Sequence, residues 1–157
     1  MLNTHTKTRE FKLHSFEYLK ALYDLMKPRV MSLAIFTCVV GFLITPIKNI
    51  DYLYAILSII AVALGSGAAG ALNCWYEADV DSVMSRTCLR PIPTGKLTRK
   101  EALIFGTISS FVSVAALYFF SNIMAASLLA LTISFYVFVY TIWLKRKTPQ
   151  NIVIGGA

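Results

Sequence analysis

The 157-residue sequence predicts an all-α, polytopic helical membrane protein with four transmembrane helices and the start of a fifth. Three observations carry that fold class. Four apolar stretches, residues 30–47, 52–72, 102–121 and 123–144, contain no Asp, Glu, Lys, Arg or His. A helical span takes about 20 such residues. None alternates in segments of about ten residues, as the strands of a membrane barrel do, and in lipid only helices or closed barrels satisfy the backbone. Fourteen of the 15 basic residues lie before the first stretch, between the second and third, or after the fourth, leaving Lys48 alone on the other side. The positive-inside rule makes the crowded side cytoplasmic, which places the N-terminus and the loop after the second span there.

Taken in order, residues 1–15 read as a polar tail. From 16 to 26, Phe16, Leu19, Leu22, Tyr23 and Met26 recur at helical spacing, with Glu17, Lys20 and Asp24 elsewhere. The pattern fits a helix lying on the membrane surface before Pro28 redirects the chain; a helix packed on the loops fits equally. Residues 1–29 are thus a cytoplasmic tail with an interfacial amphipathic helix, and 30–157 a membrane domain. The first apolar run follows about 29 polar-rich residues without a small-residue cleavage pattern, so it reads as a retained span rather than a signal peptide.

Within the second span, residues 65–70 read GSGAAG. A phosphate loop would need a Gly-Lys-Ser/Thr ending, which is missing. Small residues spaced by four, Gly65 with Ala69 and Ser66 with Gly70, instead let helices approach closely in lipid. The third and fourth spans are joined by almost nothing around Asn122, a tight helical hairpin. A new apolar run starts at Ile152, which reads as the beginning of a fifth span and makes the chain the front part of a longer protein.

Composition excludes several functions. The net charge of +7 is distributed by membrane topology rather than as a nucleic-acid surface. Three cysteines, Cys38, Cys74 and Cys88, do not make a disulfide framework, and the two histidines, His5 and His14, both in the tail, rule against a His-rich metal site.

The chemistry concentrates in residues 73–95, NCWYEADVDSVMSRTCLRPIPTG. If the second helix continues to Asp81, then Asn73, Glu77 and Asp81 repeat at i, i+4 and i+8 and share one face over roughly 12 Å. Asp79 points about 120° away from Asn73 on an ideal helix. An EF-hand loop fails because Ser82 replaces its turn glycine and Cys88 its bidentate glutamate. Magnesium fits better, since it combines one or two carboxylates with substrate phosphates, and Arg86 and Arg90 can bind the same phosphates in forked geometry. The plainer alternatives are a solvated helix end and positive-inside charge.

These residues carry a resemblance. Asn73-x-x-x-Glu77-x-x-x-Asp81 resembles the first aspartate-rich motif, NxxxDxxxD, of the intramembrane UbiA-type prenyltransferases. The fuller pattern, Glu77-x-Asp79-x-Asp81-x-x-Met84-x-Arg86-Thr87-x-x-Arg90-Pro91-x-Pro93-x-Gly95, is similar to the protohaem IX farnesyltransferases, or haem O synthases. Lys27-Pro28-Arg29-Val30 and Tyr140-x-x-x-x-Lys145-Arg146-x-Thr148-Pro149-Gln150-Asn151 agree with that family, and the likeness runs from about Tyr18 to the last residue.

The resemblance implies a bundle of about nine helices in the bacterial inner membrane. Its reaction transfers the farnesyl group of farnesyl diphosphate to haem b, with magnesium as cofactor, giving haem O. Asn73, Glu77 and Asp81 are then the catalytic set, with Glu77, Asp81 and more weakly Asp79 as metal ligands. Arg86, Arg90 and Lys145 contact phosphate or haem propionates, and Tyr140 faces the allylic cation. The second acidic motif of the family has no counterpart in residues 96–157, where Glu101 is the sole acid. The expectation is therefore a weakly active or inactive chain: a truncated or split product, or one that works with a separate C-terminal half or with haem A synthase. Two readings compete: a prenyltransferase for a quinone precursor or chlorophyllide, and a non-catalytic scaffold for haem or oxidase assembly.

Overall fold

A computed structural model describes residues 15–46 and 51–145. Helix α1 (Ser15–Leu25) meets α2 (Pro28–Ile44) at a 57° bend. Helices α3 (Tyr52–Val83) and α4 (Arg99–Phe120) follow, and then α5 (Ile123–Ser134), which passes directly into a π-helical segment, Phe135–Leu144. Among the described residues there is no strand, as the sequence predicts. Among the described residues three helices are long and apolar enough to cross a membrane, or four spans if the bent α1–α2 pair counts as one. The expected fifth span lies outside the described residues.

Local chemistry sets the helix ends. Asp51 caps α3 by accepting from Leu53 N at 3.0 Å. Asn122 caps α5 by accepting from Ala125 N at 2.8 Å, which closes the hairpin in two residues. Thr98 and Glu101 form a reciprocal capping box on α4. Pro28 occupies the first turn of α2, where its missing N–H costs nothing.

The core is built of small residues. Ala71 and Cys74 of α3 are buried with Ala21 and Leu25 of α1, Leu97 of the loop and Ala102 of α4. The most extensive contact is α3 with α4, where a Cβ added at Gly106 would stand 2.8 Å from the Leu72 side chain and 3.3 Å from its backbone nitrogen. Without a hydrophobic driving force between helices in lipid, such close approach supplies the attraction. The large apolar side chains face outward, Phe36, Phe111, Phe119 and Leu131 among them, as bilayer contact requires. Helix α1 divides its stripe: Leu22 packs on the core, while Phe16, Leu19 and Tyr23 stay exposed.

Helix α3 is the element that positions the site. Its 32 residues span about 48 Å at about 1.5 Å per residue, against a hydrocarbon core of about 30 Å. The apolar part, 52–72, accounts for the core thickness, so the three turns from Asn73 to Val83 rise above it. No glycine or proline interrupts 71–83, so the acidic pattern stays helical.

Candidate active site

The continuous α3 puts Asn73, Glu77 and Asp81 on one face, and that face is buried: their exposures are 1%, 8% and 3%. Buried polar groups need partners, and a basic group from a different segment serves each one. The Lys27 ammonium, at the α1–α2 bend, donates to Asn73 Oδ1. Lys145 Nζ, just past the π-helical segment, lies 2.5 Å from Glu77 Oε1. Arg90 Nη1, from the loop after α3, lies 2.6 Å from Asp81 Oδ2. Burial pushes the Lys27 ammonium below its ordinary pKa of 10.5, the neighbouring Cys74 opposing that shift.

Each partner is delivered by recognisable backbone chemistry. The loop turns back on itself through Thr87, whose buried hydroxyl donates to the Asp81 carbonyl at 3.1 Å. Pro91, Pro93 and Gly95 continue that turn, Gly95 at φ 75, a left-handed conformation that glycine takes without steric cost. The π-helical segment brings Thr141 to Asn73, whose Nδ2 donates to Thr141 Oγ1 at 3.1 Å. Thr141 in turn donates to the Tyr136 carbonyl at 2.9 Å. The amide of Asn73 is therefore held at both ends, nitrogen on Thr141 and oxygen on Lys27. Irregular helical turns of this type concentrate at functional sites.

The remaining residues singled out from the sequence divide. Tyr140 stacks on Tyr136 with ring centroids 5.3 Å apart, on the same segment as Thr141. Asp79 is not brought to the other acids: two residues from each, it is turned about 160° from Glu77 and Asp81, to a face where it is half exposed and 3.5 Å from Arg99 Nη2. Arg86 is exposed and forms no ion pair among the described residues. Lys27 and Thr141 were given no role by the sequence pattern. The signal available for Lys27 was its place before Pro28 at the entry to a span; Thr141 had none.

As a donor set, two carboxylates and an amide oxygen on one face are hard ligands of the kind magnesium prefers. Among the described residues no group of three His, Cys, Asp or Glu side chains could hold a metal ion. The face therefore fits a cation whose remaining ligands come from elsewhere, such as phosphate oxygens. It also fits an anion, since three basic groups converge on it.

Comparison with known proteins bears on this arrangement. Residues 34–157 match the model of the UbiA prenyltransferase family. The chain belongs to the UbiA prenyltransferase family. Its UbiA relatives include a protein named protoheme IX farnesyltransferase from Pelagibacter ubique, 58% identical over 157 residues, which cover 100% of this chain and 52% of the relative. Another of that name from Bartonella henselae is 55% identical over 140 residues, 87% of this chain and 45% of the relative. Protoheme IX farnesyltransferase 2 of Mesorhizobium japonicum is 54% identical over 135 residues, 86% of this chain and 43% of the relative. The chain thus spans about half the length of the curated relatives it matches. No solved structure matches it.

Proposed function

We propose that the chain is the N-terminal half of a haem b farnesyltransferase of the bacterial inner membrane, with the acidic face of α3 on the cytoplasmic side. It would transfer the farnesyl group of farnesyl diphosphate to a haem vinyl group and yield haem O. The observation that carries the reading is the buried Asn73–Glu77–Asp81 face with a basic group on each member, in a chain so similar to proteins named protoheme IX farnesyltransferase.

The reaction sets the demands on these residues. The farnesyl C1–O bond breaks with its electron pair leaving on diphosphate, and the vinyl π electrons form the new bond to C1. Water then adds to the resulting carbocation, a proton is released, and the hydroxyethylfarnesyl group remains. Magnesium, held by Glu77 and Asp81 with Asn73, would neutralise leaving-group charge. Arg90 and Lys145 would bind the phosphate oxygens as that charge develops. Thr141 keeps the Asn73 oxygen turned into the site. Tyr140, stacked on Tyr136, would offer an aromatic face to the allylic cation. Placing both greasy substrates within a helical bundle keeps that cation from bulk water.

One acidic face is half of the donor set that the family resemblance implies, so the chain by itself is expected to turn over weakly or not at all. The test is mass-spectrometric detection of haem O in membranes given haem b, farnesyl diphosphate and magnesium. The chain would be assayed alone and together with the complementary half of a relative. Farnesylated haem that disappears with Asp81→Asn supports the reading. Product on a quinone precursor instead of haem would move the chain to another acceptor.

A further inference from the structure

We infer that Lys27 is an anion-binding residue of this site, parked on Asn73 until a diphosphate arrives and drawn onto that diphosphate when a metal takes Asn73. The inference rests on the diphosphate reading above and adds a residue which that reading leaves without a role.

The backbone at Lys27 is the first observation. Its φ of 54 and ψ of 69 are left-handed, and it is the one non-glycine residue with positive φ among the described residues. It also precedes Pro28, whose ring pushes the preceding residue toward extended conformations. A left-handed residue closing a helix such as α1 is usually glycine, which adopts this conformation without strain. The bend alone therefore calls for glycine, and a lysine there is disfavoured twice over. Strain of this kind concentrates at ligand sites.

The second observation is where the strain puts the side chain. Met26 sits in the small-residue notch of α3: a Cβ added at Gly70 would stand 3.1 Å from the Met26 carbonyl oxygen, and one at Gly67 only 2.2 Å from its side chain. The notch fixes the bend against α3, and the next residue, Lys27, reaches over the buried end of the acidic face to Asn73. The stripe of small residues thus seats the bend that carries the cation.

The third observation is that the pairing is complete. Lys27, Lys145 and Arg90 take one member each of the Asn73, Glu77 and Asp81 series. A metal ion that takes the oxygens of these contacts competes with the ammonium and guanidinium groups for them. Phosphate oxygens are strong acceptors for the groups so released. Metal and diphosphate then bind as a pair, each supplying what the other displaces.

The experiment uses the full chain together with the complementary half of a relative in lipid nanodiscs, with farnesyl S-thiolodiphosphate, which resists ionisation, as the probe in excess magnesium. Lys27→Met is expected to weaken its binding about tenfold or more, the effect of losing one charge-assisted hydrogen bond, and Lys27→Arg to stay within about threefold of the unsubstituted chain. Without the probe, Lys27→Met should bind manganese, followed by its spin resonance, more tightly, because Asn73 Oδ1 is freed. Lys27→Gly separates ligand binding from folding. It should melt no lower than the unsubstituted chain yet bind the probe as poorly as Lys27→Met. Unchanged probe affinity in Lys27→Met beside its loss in Asp81→Asn would overturn the role of Lys27 and leave the diphosphate reading intact. A large fall in melting temperature in Lys27→Gly would assign the lysine to the bend and overturn the inference as well. Failure of the unsubstituted chain, joined by that complementary half, to bind the probe would sink the diphosphate reading, and Lys27 with it.

Discussion

Replacing Arg90 with methionine strands the Asp81 carboxylate, and the size of the effect can be worked from the pair itself. The ions are 2.6 Å apart, with Asp81 5% and Arg90 28% exposed at the side chain. Breaking a fully buried pair costs about 3–5 kcal/mol, because the remaining charge has no solvent. Arg90 is exposed enough that water enters where its guanidinium leaves, which brings the cost down toward the value of a hydrogen bond to a charged group, about 1.5–3 kcal/mol. We expect about 2 kcal/mol for Arg90→Met. Asp81→Asn keeps an amide oxygen for Arg90 and should cost about 1 kcal/mol. The double variant strands no charge, so its cost falls short of the sum by about 1–2 kcal/mol, the coupling expected for residues in contact. Denaturant unfolding in detergent, followed by the fluorescence of Trp75 and Trp143, measures all three. Costs that add to within about 0.5 kcal/mol would refute the coupling, and with it the idea that Arg90 is held in place by Asp81.

Other expectations rest on separate features. The Glu101 carboxyl is held below its ordinary pKa of 4.5, first by the Thr98 backbone N–H and then by the Thr98 hydroxyl. Its stabilisation is therefore full above 4.5 and lost as pH falls through the lowered value. Amide exchange in the first turn of α4 should speed up on that acid side, and Glu101→Gln should remove the pH step. Thr98→Ala should cost about 1 kcal/mol through the same cap, measured by unfolding. Gly106→Val overpacks the α3–α4 contact against Leu72 and should cost about 1–3 kcal/mol; a neutral result would mean that the two helices can separate freely. Thr141→Val leaves the buried Asn73 Nδ2 without its acceptor, a loss of about 1–3 kcal/mol that Thr141→Ser should largely restore. Asp79→Asn, on another face of α3, should leave binding of the farnesyl analogue within about threefold, where Asp81→Asn abolishes it.

The spans were legible because an uncharged run of membrane length has few alternatives in lipid. The acidic face was legible because nothing between Leu72 and Val83 breaks a helix, so a spacing of four stays a spacing of four on the surface of α3. What the sequence could not show is which charge meets which. Lys27 and Asn73 are 46 residues apart, Asn73 and Thr141 are 68 apart, and no local preference reaches that far. Nor does any residue pattern in 135–144 announce a π-helix, which here arises together with the Thr141 contact. The basic residues expose the limit most clearly. Counted along the chain, Lys27, Arg86, Arg90 and Lys145 are all positive-inside charges, and the count cannot separate them. In the folded chain Arg86 is exposed, while each of the other three rests on one member of the α3 face. A charge that only sets topology can move a helical turn along the chain at little cost, because orientation depends on which side it occupies. A charge that partners a buried carboxylate or amide cannot, since a displacement of about 5 Å breaks the hydrogen bond and leaves its buried partner unsatisfied.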